Sequence, residues 1–382
     1  MKKKKRVWMI IGVLVILALG LNYGLRLFRL HQLPESYAEI SGTVVDNRYR
    51  NFISEFDPIN DTGDFVRIGD KLYYNYYGNY ATYGLYEITS DGSQRIYWDG
   101  HGPGAFLTGD MGMLYPIQAY NGKLLMNTVL DSNYYIYNSE SREWEPAQGS
   151  LLAYSEETQT FEKVSMFEDG AGIRALIYQE TPFGLVYESS AGSDLWVYTR
   201  DGGTEQIVGE NVCSFYAYEE CIYYMTLDTA ADTFVLRVFD WNSKNDAVLC
   251  EWTEYAGLPY FMIERDLLVF VATHPETHTQ SVYTMDLGDP GQKEECLFTI
   301  DRTNPDTAYI CSWNVWNGTV YLCTENGLIA CDLDSGGHRT LCEKDTLECD
   351  IVDDTWVYFL EDESHRLWRI KQTGGDAELV FG

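Results

Sequence analysis

Short apolar runs, broken by turn-forming residues, recur along most of this chain. The stretch LYEITSDGSQRIY (85–97) sets apolar residues on either side of Ser-Asp-Gly, and LWVYTRDGGTEQIV (195–208) and LWRIKQTGGDAELV (367–380) repeat the arrangement. Alternation of period two around a tight turn predicts a β-hairpin. Aligned on the first apolar residue, seven copies begin at Leu85, Leu152, Leu195, Leu236, Val282, Leu328 and Leu367. Six positions on stand Asp91, Thr158, Asp201, Asn242, Gly288, Asp334 and Thr373, most of them residues that supply a turn. An apolar residue returns about twelve positions after the start, as Tyr97, Val164, Ile207, Val248 and Leu379, so each copy is a strand, a tight turn and a second strand.

Upstream of each hairpin runs another apolar stretch, such as KLYYNYY (71–77), CIYYMTL (221–227) and WVYFLED (356–362), usually preceded by a shorter one. Each copy therefore predicts four strands. Residues 64–382 divide by seven into repeats of roughly 46, close to the 40–45 of a four-stranded propeller blade. A small sheet leaves two apolar faces uncovered, and packing copies around an axis covers both. A sandwich would not repeat one hairpin register seven times. The expected fold is all-β: a seven-bladed β-propeller of four-stranded antiparallel blades over 64–382, closed by packing of the first blade on the last, with a ring of six or eight blades as the alternative that length alone allows.

The first residues follow another pattern. MKKKKR (1–6) precedes nineteen residues without a charge, VWMIIGVLVILALGLNYGL (7–25), and Arg26 and Arg29 follow. A helix of that length rises about 28 Å, near the thickness of a bilayer core. The leading cations hold that end in the cytoplasm, which places the rest outside it. Residues 7–25 are therefore expected to be a single transmembrane signal anchor after a cytoplasmic tail (1–6), with 26–63 a stalk or linker. A cleaved signal peptide ending near Ala18-Leu19-Gly20 is the competing reading.

Composition supports export and names no ligand. Thirty Tyr, 16 Phe and 10 Trp suit a large β core. Of 27 basic residues seven lie in 1–30, so the exported part sets 20 against 58 acids, a net −38. Such a surface repels nucleic acid and anionic lipid headgroups, and nucleic acid is excluded as a partner. All nine cysteines fall between Cys213 and Cys349, without CxxC spacing. Most read as small buried residues of strands. Cys323 and Cys331, on either side of TENG, are the pair a hairpin would bring together.

The repeating unit resembles the β-propellers of bacterial envelope proteins related to the low-density-lipoprotein-receptor (YWTD) family. That receptor's Tyr-Trp-Thr-Asp motif is absent, and IYWDG (96–100) only approaches it. The resemblance implies a propeller outside the cytoplasm and no particular activity.

Chemistry-bearing motifs are missing: no GxSxG elbow, HExxH helix or phosphate-cradling glycine loop occurs. His101, His274, His278, His338 and His365 have no acidic or cysteine partner at ligand spacing and read as surface residues, so neither metal nor cofactor is expected. Connections between second and third strands differ greatly in length, and insertions confined to one face of a repeat protein often mark its binding face. The candidates there are Tyr77 and Tyr80 in a tyrosine-dense connection, His101 in the glycine-rich DGHGPGAFLTGDMG (99–112), and Tyr135 and Trp144 in the insertion 132–150. Their rings suit a sugar or peptide. The function expected is non-catalytic binding or scaffolding of a protein, peptide or glycan in the cell envelope. A glycan-active hydrolase or lyase with a central acidic site is the alternative.

Overall fold

The computed structural model describes two short strands, His31–Leu33 and Tyr37–Ala38, the strands between 63 and 164, and most of 178–381. The apolar run 7–25 lies outside the described residues, among which no helix is long and apolar enough to cross a membrane.

Everything described is β. Six sheets have four strands in simple sequence order, and one has four strands of the same kind plus a fifth. The first sheet comprises Gly63–Ile68, Lys71–Tyr76, Gly84–Thr89 and Gly92–Tyr97. The second comprises Tyr115–Tyr120, Lys123–Asn127, Leu151–Ser155 and Thr160–Val164, with Tyr37–Ala38 added in parallel to the last. The remaining sheets occupy 178–208, 212–252, 261–300, 310–342 and 346–381. First strands of successive sheets lie side by side, and the last sheet packs on the first. The sheets thus follow one another around an axis, the arrangement of a β-propeller.

Stacking explains the hydrophobic pattern. A second strand has neighbouring sheets on both faces, so consecutive residues are apolar and buried: Leu185, Val186 and Tyr187, or Val320, Tyr321, Leu322 and Cys323. Each such side chain contributes roughly 1.5–3 kcal/mol. Outer strands face water, and Thr204–Val208 is exposed or half-buried throughout.

The hairpin repeat carries a β-bulge. Leu195 pairs with Val208, but Trp196 pairs with Gln206, leaving Ile207 as the extra residue. The same shift follows Leu85, Leu236, Val282, Leu328 and Leu367. The extra outer-strand residues are Ile96, Ile207, Leu249, Leu297, Leu341 and Val380, all apolar. Bulges re-aim side chains, and the last five of these pack against core clusters between sheets. Val248 and Leu379 are each 48 % exposed, because the bulge hands the inward place to Leu249 and Val380. The second sheet lacks the shift. Its third and fourth strands pair continuously from Leu152↔Lys163 to Ser155↔Thr160, and this edge accepts Tyr37–Ala38. Bulges twist an edge away from further pairing, and a regular edge invites it.

Turn geometry is equally repetitive. In six sheets the first hairpin closes through two residues, as Trp316↔Thr319 does around Asn317-Gly318. Both turn residues have positive φ (47° and 76°), as a type I′ turn requires. A Cβ on Gly318 would overlap the Arg265 guanidinium, which reaches Asp334 at 3.2 Å across the fifth–sixth seam. In the second hairpins the turn is closed by a residue four places after the repeat's first apolar position. Asp240, Asp286 and Asp332 accept the backbone N–H of Ser243, Gly288 and Ser335, each at 2.8 Å. The sequence reading centred on the glycines and missed this recurring aspartate.

Polar side chains stitch successive sheets together. The Gln179 amide donates to Ala217 O at 2.8 Å and accepts its N–H at 2.6 Å. Gln280 accepts the Ile310 N–H at 2.8 Å, and the buried Thr346 hydroxyl pairs with both backbone groups of Thr324.

Candidate binding surface

Three of the five candidate residues, Tyr77, Tyr80 and His101, lie outside the described residues. The other two fall on one small structure. Between the second and third strands of the second sheet the chain forms a further hairpin, Tyr134–Asn138 with Glu143–Pro146. His31–Leu33 pairs with it in parallel, making a three-stranded sheet. The host sheet keeps its own register across the insertion, from Leu151↔Asn127 to Tyr154↔Leu124.

Register assigns the faces. Trp144 pairs with Tyr137 and Pro146 with Tyr135, so Tyr135 and Trp144 are diagonal neighbours on one face, about 7–8 Å apart between backbones. Gln32, opposite Tyr135, shares that face. The other face carries His31, Leu33, Tyr134, Ile136, Asn138, Glu143 and Glu145. One side is thus aromatic and uncharged, and the other bears two glutamates. The 26–63 segment, expected as a stalk, contributes strands to this sheet and to the second sheet's edge.

In the fifth and sixth sheets the corresponding connections are short and closed by their own polar groups. Thr324 donates its hydroxyl to Gly327 O at 2.6 Å across Glu325-Asn326. His274 Nδ1 accepts the N–H of Glu276 and Thr277 at 3.2 and 3.3 Å, so this histidine closes a loop. His338 tilts against the Phe298 ring at 4.7 Å. Among the described residues no group of three or more His, Cys, Asp or Glu is placed to hold a metal ion.

Paired carboxylates occur where the last sheet meets the first. Glu348 and Asp350 alternate along an innermost strand, Thr346–Asp350, and so share the face toward Phe65 and Tyr74. Alternate strand residues stand roughly 7 Å apart, a separation that glycosidases use. The crevice between them is closed by Tyr358, Phe359, Leu360 and Leu367 and admits about one water molecule. Phe65 stacks on Tyr74 at 4.4 Å and meets Tyr358 at 5.1 Å. Burial raises the Tyr358 phenol and the Asp353 carboxylate adds to this, opposed by Arg369. A sugar ring has no room there, so the pair belongs to the packing of the seam.

The cysteines form no disulfide: all nine are free thiols. Cys323 pairs with Leu328 and Cys331 with Val320, so these two are not opposite each other. Cys323 instead meets Cys349 of the next sheet, and burial, with that neighbour, holds its thiol well above the ordinary range.

No family model matches the chain, and no curated protein does. Solved structures resemble the chain to different extents. A structure of prolyl endopeptidases superposes with a TM-score of 0.54 at 12 % identity, over 84 % of this chain and 49 % of that one. The extracellular domain of a protein described as a hybrid two component system from B. thetaiotaomicron gives 0.48 at 10 % identity, over 71 % of this chain and 33 % of that one. A nidogen/laminin complex gives 0.36 at 10 % identity, over 60 % and 89 %. The chain thus spans only about a third to a half of the first and second of these. At such identities the likeness is one of fold alone.

Proposed function

We propose that this chain is a seven-bladed propeller, anchored in the cell membrane by residues 7–25 and held outside the cytoplasm, that binds a protein, peptide or glycan without transforming it. The observation that carries this reading is the asymmetry of the two propeller faces. Six first hairpins turn in two residues, whereas the opposite face bears the inserted Tyr/Trp hairpin. A scaffold regular on one side and elaborated on the other is what selection for recognition leaves behind. The carboxylate pair Glu348 and Asp350 is walled in by Phe65, Tyr74 and Leu367, which supports binding over hydrolysis.

The test is a glycan and peptide binding screen on the full-length chain in lipid nanodiscs, repeated with alanine at Tyr77, Tyr80, His101, Tyr135 and Trp144. A ligand whose affinity falls at least tenfold in one of these variants supports the reading. Turnover of a glycan or peptide that depends on a carboxylate pair would overturn it.

A further inference from the structure

We infer that the inserted hairpin rests on the lipid surface, with the face of Tyr135, Tyr137 and Trp144 toward the headgroups. The inference builds on the membrane anchor proposed above and gives the hairpin face that carries Tyr135 and Trp144 a contact with the bilayer in addition to any with the ligand.

The argument is one of tether length. His31 is the first residue of the strand paired to the hairpin, in register with Tyr134. Only residues 26–30 separate it from Leu25, the end of the apolar run. Six Cα–Cα steps span at most about 21 Å fully extended, and about 9 Å as helix. The headgroup layer itself accounts for roughly 5–8 Å of that distance. Residues 31–38 add little slack, because His31–Leu33 is bound to the hairpin and Tyr37–Ala38 to the second sheet's outer strand. The hairpin is therefore the part of the described chain closest to the membrane.

Its composition fits that place. Tyr and Trp are enriched where one end of a side chain is apolar and the other wet, as at the bilayer interface. The face named carries Gln32, Tyr135, Tyr137, Trp144 and Pro146 and no charge, whereas the opposite face carries Glu143 and Glu145. Arg26 and Arg29 in the tether suit phosphate headgroups. The acidic remainder of the propeller would turn away from them.

The experiment places the photoreactive p-benzoylphenylalanine at Tyr137 or Trp144 in the full-length chain, in phosphatidylcholine nanodiscs, and reads lipid adducts by mass. Ile136 on the opposite face and Asn242 in an exposed turn of the fourth sheet are the comparison sites. Adducts at 137 and 144 at least fivefold above those at 136 and 242 are expected. Equal or lower labelling in a chain that has entered the discs overturns the inference and leaves the anchor standing. A chain that does not enter the discs removes the anchor, and the inference with it. Should a photoreactive variant misfold, Trp144→Phe serves: brominated lipid quenches the tryptophan emission of the wild type more than that of the variant. Trp8, within the apolar run, is common to both, so identical quenching also overturns the inference.

Discussion

Arg67 of the first sheet reaches Asp353 of the last, Nη2 to Oδ2 at 3.4 Å, across 286 residues of chain. The other oxygen of Asp353 accepts the backbone N–H of Thr355 and Trp356, each at 2.7 Å, so one carboxylate shapes the last sheet's longer first turn and links the two ends of the ring. Asp353→Ala is expected to cost about 1–2 kcal/mol in denaturant unfolding, most of it from the lost turn bonds. Asp353→Asn keeps one acceptor oxygen and should lose less than half as much. Equal losses in the two variants would show that the charge, not the turn, matters.

The bulges predict opposite outcomes for adjacent positions of the outer strand, taken here from two different sheets. Leu341→Ala empties a buried site between the sixth and seventh sheets and should cost about 2–3 kcal/mol. Val248→Ala, at a site 48 % exposed, should change stability by less than about 0.5 kcal/mol. Thermal unfolding of the two variants checks the assignment of the extra residue.

Gly327 opens a strand at φ +133°, and a Cβ there would overlap the Cys342 carbonyl. Gly327→Ala is expected to destabilise the protein by about 3 kcal/mol or more. Gly375, at φ +125° with no atom within 4 Å, isolates the backbone contribution, and Gly375→Ala should cost about 1 kcal/mol.

Thiol labelling should be sharply graded. Burial pushes Cys250 and Cys311 to about 12 and holds Cys323 higher than a free thiol, whereas Cys296 is exposed. Only thiolate reacts, so at pH 8 Cys296 should label first and Cys323 only on unfolding. Mass analysis of the partly alkylated native protein reads the order directly.

Glu361 gives the fold an acid limit. Burial would raise its carboxyl, but bonds from Lys344, Ser364 and the Trp368 indole outweigh this and hold it below 4.5. A carboxylate depressed on folding contributes above its unfolded value and loses that contribution as pH falls through the folded one. Stability measured from pH 7 to 3 should therefore be level and then decline below about 4.5. Glu361→Gln should flatten part of that decline.

Much of the architecture was legible in the repeat. Leu85, Leu195, Leu236, Val282, Leu328 and Leu367 mark the start of each second hairpin because all of them are buried at the point where the outer strand bulges. The bulge itself was not legible. One extra residue in an outer strand looks like ordinary scatter in spacing, so nothing in the repeat distinguishes Val248 from Leu249. The docking of 31–38 was also hidden, since strands of two and three residues leave no periodicity to detect. Of the candidate surface, the shared face of Tyr135 and Trp144 follows only from the hairpin's register, which depends on turn length rather than composition. The partner of Cys323 lies in the next sheet, beyond any pattern within a single repeat.

The uneven rim has a mechanical consequence. A wheel built of near-copies offers an added strand several almost equivalent places to attach, and random attachment would mark a different sector each time. Among the described residues a single spoke has a straight outer border, and Tyr37–Ala38 engages that one. The straight border works like the keyway of a shaft: it admits the added strand at one rotational setting, so every copy of the molecule carries it on the same sector.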